Sequence, residues 1–309
     1  FYHINENKKE LKIMKIFDCF MYFDEEVVLD IRLNTLNQFV DYFVIVESKY
    51  NHRGEPRELL FNQEKFKKFK DKIIYLVHNE VPKQIEIIKE EDNEDKKASN
   101  YIMNALYREN GQRNYIINGL NQAKENDLIL ISDVDEIPNL SKLDLNKINH
   151  KIILFKQDMF YYKFNLTIPN FKWTGTKACR MKHLINPQWL RNIKDRKYSP
   201  FRLDIILSDK KYNNVKIVDN GGWHFSNIKT AIEIEHKLKS YLHHREFDEK
   251  PLTSNQIEEV IKNKKAIYDL KVDKTVNKIG DGSKLIKFEL NKLPTYIQNN
   301  KDTYKKWID

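Results

Sequence analysis

Three carboxylates follow a short apolar segment near the middle of the chain. The sequence reads Leu128-Ile-Leu-Ile-Ser-Asp-Val-Asp-Glu-Ile-Pro138, so Asp133, Asp135 and Glu136 come directly after four apolar residues. The apolar residues predict a buried strand, and carboxylates crowded at its end repel one another unless a cation holds them. Such oxygen ligands suit Mg²⁺ or Mn²⁺ bound together with substrate phosphates. The segment therefore predicts a metal-assisted phosphate site, although Asp also favours plain turns and helix caps.

The elements around this segment alternate between strand and helix through the first half of the chain. Apolar patterns predict strands at 15–23, 42–46 and 73–78, helices at 27–39 and 101–123, and a charged loop at 80–100. Such alternation predicts a parallel sheet with helices on both faces, in which ligands bind at the carboxyl ends of the strands. The chain has neither a GxGxxG nor a GxxxxGK[ST] motif, which argues against a dinucleotide fold and a P-loop.

The second half of the chain has a less regular pattern. It predicts a strand or strand pair at 152–162, short strands and turns up to residue 226, a helix at 228–244 and then a mostly helical, lysine-rich tail. Residues 1–13 precede the first predicted strand, and we expect them to be an extension outside the fold. Residues 14–150 and 151–309 are expected to form one continuous domain.

The composition limits the class of protein. The 309 residues carry 54 Lys and Arg against 45 Asp and Glu, a formal charge of +9, which is compatible with nucleic acid, an anionic membrane surface or an anionic substrate. Acidic residues interleave with the lysines and no nucleic-acid motif is found, so no nucleic-acid partner is expected. Because no apolar run reaches 18 residues and no secretory signal is visible, we expect no membrane span and a cytoplasmic location. Cys19 and Cys179 are expected to be buried free thiols.

Six segments of the chain, in this order and spacing, resemble glycosyltransferase family 17. They are Ile16-Phe-Asp-Cys-Phe-Met-Tyr-Phe-Asp-Glu-Glu26, Ile31-Arg-Leu33, Val40-Asp-Tyr-Phe-Val-Ile-Val-Glu-Ser48, Arg108-Glu-Asn-Gly-Gln-Arg113, Ile131-Ser-Asp-Val-Asp-Glu-Ile-Pro138 and Gly221-Gly-Trp-His-Phe-Ser226. The similarity runs from about residue 14 to about residue 300. One segment departs from the family: Lys49-Tyr-Asn-His-Arg-Gly54 stands where relatives more often carry a Thr-Phe pair before the glycine. A different sugar specificity is expected if this segment contacts donor or acceptor.

The resemblance implies a GT-A fold, which is a Rossmann-like, mostly parallel α/β sheet flanked by helices. Residues 14–150 would bind the nucleotide-sugar, and residues 151–309 would form an irregular acceptor-binding half with a helical tail. The best-known members transfer β-1,4-linked N-acetylglucosamine to a mannose of glycoprotein glycans. The implied activity is an inverting, Mn²⁺- or Mg²⁺-dependent transfer of N-acetylglucosamine from a UDP-sugar to a hydroxyl of a glycan or glycoconjugate acceptor.

The resemblance also implies a metal site. Asp133 and Asp135 would form its Asp-x-Asp motif, with Asp135 the direct ligand and Asp133 closer to the ribose or to the water shell of the metal. His224 would complete the protein ligands, although a lone His among aromatic residues is more often part of a core. Glu136 is then expected to order the loop or to face the acceptor.

Further residues are candidates for donor contacts. The nucleotide-binding candidates are Glu47, Arg108, Glu109, Gln112, Arg113, Asp133 and Trp223. Arg113 is expected to present its planar guanidinium to the diphosphate, or alternatively to form a surface pair with Glu109 four residues earlier. Glu47 either binds the base or ribose or caps a turn, and Trp223 is expected to stack on a sugar.

The acceptor hydroxyl must lose its proton, so a general base is expected and no protein nucleophile. Asp219 and Glu246 are the candidate bases, with Asp204 as a further possibility. Trp173 and Phe160-Tyr-Tyr162 could stack on acceptor sugars, although such residues more often pack in a core. Two alternative functions remain at this point: a metal-dependent phosphohydrolase that uses the same carboxylates, and a non-enzymatic basic binding protein.

Overall fold

The fold contains one mixed sheet with helices on both faces. The computed structural model describes residues 14–144, 147–196, 198, 208–240, 247–248, 251–267 and 282–309. The strands of these residues are β1 (Ile16–Tyr22), β2 (Tyr42–Ser48), β3 (Ile73–His78), β4 (Leu128–Asp133), β5 (Glu136–Pro138), β6 (Ile152–Tyr161), β7 (Leu166–Arg180), β8 (Val215–Val218), β9 (Gly222–Ser226) and β10 (Ile286–Lys287). The helices are α1 (Glu26–Leu36), α2 (Glu94–Asn114), α3 (Pro187–Asn192), α4 (Ala231–Ser240), α5 (Ser254–Lys262) and α6 (Thr295–Asn299).

The first four strands form the parallel sheet that the alternating pattern predicts. The strand order is β3-β2-β1-β4-β7-β6-β9-β5, with β10 paired to β7 and β8 paired to β6. Strands β3, β2, β1 and β4 are all parallel to their neighbours. From β1 the chain passes to β2 and then to β3 on one side of β1. It then returns to form β4 on the other side of β1. The crevice between β1 and β4 is therefore the switch point at which open α/β sheets bind ligands.

The second half makes the sheet mixed rather than mostly parallel, because β8 and β9 pair parallel with β6 whereas other pairs are antiparallel. Strand β7 pairs antiparallel with both β4 and β6, and β5 pairs antiparallel with β9. Residues 162–165 alone connect β6 to β7, and so short a connection can join only antiparallel strands. The apolar pattern of 152–162 does not reveal this, because a strand buried on both faces gives the same pattern in a parallel and an antiparallel sheet.

Apolar side chains fill both faces of the sheet. Along β1, Ile16 and Phe20 belong to the cluster that packs against α1, whereas Phe17 and Cys19 belong to the cluster that packs against α3. This alternation follows from the period of two in a strand. Cys19 and Cys179 are free and buried in the second cluster, as predicted from their apolar surroundings.

Two predicted elements have different bounds in the structure. Helix α2 begins at Glu94, inside the predicted loop 80–100, because the side chain of Asn93 caps it by accepting the N–H of Lys96 at 2.8 Å. The tail is helical in α5 and α6, but Ile286–Lys287 forms the short strand β10, which pairs antiparallel with β7. Helices of the described segments are all too short or too polar to cross a bilayer. Residues 1–13 lie outside the described part.

Candidate functional site

A cavity of about 360 Å³ opens at the carboxyl ends of β1, β2 and β4. Tyr22, Ser48 and Asp133 end these strands and line one side of it. Strands β6 and β9 and helix α4 line the opposite side, with His224 and Lys237 among their contributions. The cavity therefore lies at the switch point and uses both halves of the chain.

One buried arginine fixes the backbone of the loop that carries the carboxylates. Arg32 of α1 has no exposed surface and forms an ion pair with Asp18 of β1 at 2.6 Å. Its guanidinium also donates to Ser132 Oγ at 2.5 Å and to three carbonyl oxygens of the loop 133–136 at 2.9 to 3.1 Å. A planar group with five donors can hold several acceptors at fixed positions. The loop geometry thus depends on a residue of α1 that sequence reasoning did not select.

Asp133 is held between two arginines. Its Oδ1 accepts from Arg113 at 3.0 Å and its Oδ2 accepts from Arg191 at 2.9 Å. Burial opposes ionisation of Asp133, but Arg191 and Arg113 outweigh it and hold the pKa of the carboxyl well below its ordinary value. Arg113 also pairs with Glu109 at 2.6 Å and does not line the cavity. The guanidinium of Arg113, which was expected to face the diphosphate, therefore binds Asp133 and Glu109 instead.

Glu136 orders the loop, as one of the two predicted roles. It is fully buried, and its Oε2 accepts the N–H of Asp133 at 3.0 Å and Arg191 Nη1 at 2.6 Å. Its Oε1 accepts Trp173 Nε1 at 2.7 Å. Arg191, from α3, is a functional residue that sequence reasoning missed, because no motif surrounds it and 55 positions separate it from Glu136.

Asp135 faces His224 across the cavity floor. Alternation along β9 turns His224 toward the cavity, and its Nε2 lies 3.4 Å from Asp135 Oδ2. Burial lowers the pKa of His224, but Asp135 outweighs burial and raises it overall. Burial likewise raises the pKa of Asp135, and His224 outweighs it, so that the pKa of this carboxyl is lowered. The buried Nδ1 of His224 finds no hydrogen-bond partner in the described part of the chain.

The three predicted metal ligands are therefore only partly assembled. Asp135 and His224 are together, whereas both oxygens of Asp133 bind arginines. Among the described residues, no three His, Cys, Asp or Glu side chains form a group that could hold a metal ion. A site completed by phosphate oxygens and water needs only one or two protein ligands. The arrangement is compatible with Asp135 as a direct ligand. Asp133 is bound by two arginines and is not placed as a direct ligand.

Besides Asp133, three of the predicted donor contacts lie at or beside the cavity. Glu109 and Gln112 of α2 line it, and Gln112 Nε2 is anchored on the carbonyl oxygen of Val46 at 3.1 Å. Arg108 lines an adjoining cavity of about 140 Å³ and donates to the carbonyl oxygen of His52 at 3.2 Å. Glu109 and Gln112 therefore reach the main cavity, and Arg108 reaches the adjoining one.

Two other predicted contacts point away from the cavity. Glu47 is buried and accepts the N–H groups of Leu60 and Phe61, at 2.7 and 3.1 Å, together with Tyr75 Oη at 2.8 Å. These bonds favour the turn-capping role over nucleotide binding. Trp223 precedes His224 on β9 and so faces the opposite side, where it joins the apolar core and its Nε1 donates to the carbonyl oxygen of Lys292.

Asp219 is the one predicted general base that the structure describes, and it is not at the cavity. Asp219 is exposed in the turn between β8 and β9 and does not line it. Glu246 and Asp204 lie outside the described residues, so their roles stay predictions. Glu25, which directly precedes α1 and was not among the candidates, does line the cavity. Its Oε1 lies 3.6 Å from Nζ of Lys237.

The segment that departs from the family also borders the cavity. Tyr50, Asn51 and His52 line it. The side chain of Asn51 accepts the N–H groups of Gly54 and Glu55 at 3.0 and 2.9 Å and so shapes the turn. Gly54 adopts φ +96°, a left-handed conformation that favours glycine.

Comparison with known proteins identifies the family. The sequence model described as glycosyltransferase family 17 matches residues 2–308. The curated proteins contain no match to the chain. A mycobacterial protein of known crystal structure shares 10% identity over 73% of this chain and 74% of its own, with a TM-score of 0.30, too low to support an argument on fold or function. Since the family model covers nearly the whole sequence, the chain belongs to glycosyltransferase family 17 and is a glycosyltransferase.

Proposed function

We propose that the cavity binds a UDP-sugar and that the protein transfers the sugar, with inversion, to a hydroxyl of a glycan or glycoconjugate acceptor. N-acetylglucosamine is the proposed sugar because the best-known members of the family transfer it. The observation that carries the proposal is the pair Asp135 and His224, 3.4 Å apart at the switch point of the parallel strands. The parallel order β3-β2-β1-β4, with an Asp-x-Asp motif after β4, supports a GT-A fold.

Asp135 and His224 would hold Mn²⁺ or Mg²⁺. A carboxylate oxygen and an imidazole nitrogen at this separation suit two ligands of one ion, and phosphate oxygens and water would complete the set. When bound, the ion supplies positive charge to the diphosphate as it leaves. Asp133, held by Arg113 and Arg191, is proposed to contact the ribose or the water around the metal.

The other residues of the site would orient the donor. Arg32 and Arg191 hold the loop 133–136 rigid, which keeps Asp135 aimed at His224 without rearrangement. Glu109 and Gln112 offer an acceptor and an amide to the nucleotide from the wall formed by α2. For the general base, Glu246 remains our candidate and Glu109 joins it because its carboxylate lines the cavity, whereas Asp219 lies in an exposed turn away from it.

The two alternative functions have less support. A phosphohydrolase would be expected to use both motif carboxylates on its metal, whereas both oxygens of Asp133 bind arginines. A non-enzymatic basic protein does not account for the match to a glycosyltransferase family over residues 2–308.

A donor screen tests the proposal. Thermal unfolding is measured with UDP-, GDP- and dTDP-sugars, each with Mn²⁺ and with EDTA, and released nucleotide is followed by mass spectrometry. We expect stabilisation by a UDP-sugar only with Mn²⁺, because a ligand at a hundredfold excess over its Kd adds about 2.7 kcal/mol. A protein that no nucleotide-sugar stabilises, or one that releases phosphate from simple esters without sugar transfer, would contradict the proposal.

A further inference from the structure

A cationic side chain often assists the metal ion in neutralising a leaving diphosphate, and the structure shows that the predicted residue, Arg113, is bound elsewhere. Arg113 was expected to present its guanidinium to the phosphates. Its side chain is only 4% exposed and bonds to Glu109, Asp133 and Gln188. A side chain that assists the metal ion at the diphosphate must therefore belong to another residue that lines the cavity.

The described residues that line the cavity include one arginine, Arg57, and one lysine, Lys237. The guanidinium of Arg57 donates to the carbonyl oxygens of Phe23 and Ser48, at 2.6 and 3.1 Å, and pairs with Glu47 at 3.1 Å. These bonds tie a loop to the ends of β1 and β2. Arg57 is thus a structural group, and Lys237 remains.

Lys237 is held at the cavity by a loose contact. Its side chain is 19% exposed, and its Nζ lies 3.6 Å from Glu25 Oε1, longer than a normal hydrogen bond. Glu25 is fixed in turn, because its Oε2 accepts the N–H groups of Phe23 and Asp24 at 3.2 and 3.1 Å. Burial lowers the pKa of Lys237, but Glu25 and Asp135 outweigh it and raise the pKa, so the ammonium stays charged.

A second lysine provides the contrast. Lys229 lies 2.6 Å from Asp24 Oδ1 and also donates to the carbonyl oxygen of Asp24 at 3.2 Å. It does not line the main cavity. Lys229 therefore serves to tie the second half of the chain to the end of β1. Among the described residues, the Nζ of Lys237 has only the 3.6 Å contact with Glu25, at the cavity, and an ammonium has three N–H donors to offer.

We propose that Lys237 binds the diphosphate of the donor and stabilises the nucleoside diphosphate as it leaves. The inference rests on the proposed function. In the transfer, the bond between the anomeric carbon and the β-phosphate oxygen breaks, and its electron pair stays on that oxygen. The acceptor oxygen forms the new bond to the anomeric carbon, and its proton passes to the general base. Lys237 keeps its own proton and donates hydrogen bonds to the phosphate oxygens.

The test compares UDP with uridine by calorimetry, for the wild type, K237Q and the control K239Q, with Mn²⁺ and with EDTA. Lys239 lies on the same helix, is 55% exposed and pairs with Glu235 at 2.7 Å. We expect K237Q to bind UDP at least about tenfold more weakly, which is the loss of one charge-assisted hydrogen bond, and to bind uridine as the wild type does. K239Q should match the wild type with both ligands.

Two results would overturn the assignment. One is a folded K237Q that binds UDP within about twofold of the wild type. The other concerns E25Q, which removes the carboxylate beside Lys237 and is expected to bind UDP as tightly as the wild type or more tightly; weaker binding would assign Lys237 a purely structural tie to Glu25. The E25Q arm keeps the inference testable if K237Q does not fold. A wild type that binds no nucleoside diphosphate would contradict the proposed function itself.

Discussion

At the scale of residues, the two aspartates of one motif have different surroundings. Asp133 ends β4 and faces α2 and α3, where Arg113 and Arg191 bind its two oxygens. Asp135 lies beyond the strand and faces His224. A spacing motif predicts that both carboxylates are at the site. It does not predict their different partners, because those come from helices and strands far away in sequence.

The same argument explains which site residues could be predicted. Asp135, Glu109 and Gln112 belong to recognisable segments, and the family resemblance added His224. Arg191 stands in a helix without a motif, and its contact with Glu136 depends on how the β6–β7 hairpin and α3 fold onto β4. Lys237 lies on an ordinary amphipathic helix. Long-range placement, rather than local pattern, selects these two cations.

Arg191 provides a stability prediction at this scale. We expect R191Q to lower the free energy of unfolding by about 3 kcal/mol, because it removes the cation that binds buried Glu136 at 2.6 and 3.0 Å. Urea unfolding monitored by fluorescence measures the change. The matched control is R196Q, at an exposed position of the following segment, where a change within about 0.5 kcal/mol is expected. A loss below about 1 kcal/mol in R191Q would show that the ion pair does not stabilise the loop.

At the scale of elements, β9 determines which side chains reach the cavity. His224 and Trp223 are neighbours, yet alternation sends one to the cavity and the other to the core. The family resemblance implied that both are site residues, because the sequence of a five-residue strand does not show which face each side chain occupies. By contrast, the longer apolar patterns predicted β1, β2, β3 and β4 and their parallel arrangement correctly, within two residues at each end.

Gly222 gives a prediction at this scale. It begins β9 with φ +135°, and a Cβ there would stand 2.1 Å from the carbonyl oxygen of Ile137. We expect G222A to shift β9 away from β5, to lower the unfolding free energy by about 1–3 kcal/mol and to weaken Mn²⁺-dependent UDP binding by moving His224.

The control is G111A in α2, where a Cβ would stand 3.3 Å from the side chain of Pro82 and 3.8 Å from the ring of His78, and alanine favours the helix by about 1 kcal/mol. Its stability is expected to stay equal to or above that of the wild type. Urea unfolding and Mn²⁺ titration check both variants. Wild-type stability and binding in G222A would mean that the close approach of β9 to β5 is not required.

At the scale of the whole molecule, the net charge of the chain does not predict which charged residues line the cavity. The chain has a formal charge of +9, yet the main cavity is lined by Glu25, Glu109, Asp133 and Asp135. Many lysines of the described segments are exposed, for example Lys49, Lys65 and Lys216. Net charge alone would have suggested a nucleic-acid or membrane partner, and it contains no information about an acidic cavity inside a basic protein.

In our account, the cavity binds a nucleoside diphosphate through a metal ion held by Asp135 and His224. Asp133 is bound by Arg113 and Arg191 and is not a direct ligand of the metal. Calorimetric titration of UDP into the wild type, D135N and D133N, with and without Mn²⁺, tests it most directly. We predict that Mn²⁺ strengthens UDP binding in the wild type and in D133N, although D133N binds more weakly overall. D135N should lose the response to Mn²⁺. A D135N protein that keeps the full response to Mn²⁺ would contradict the account.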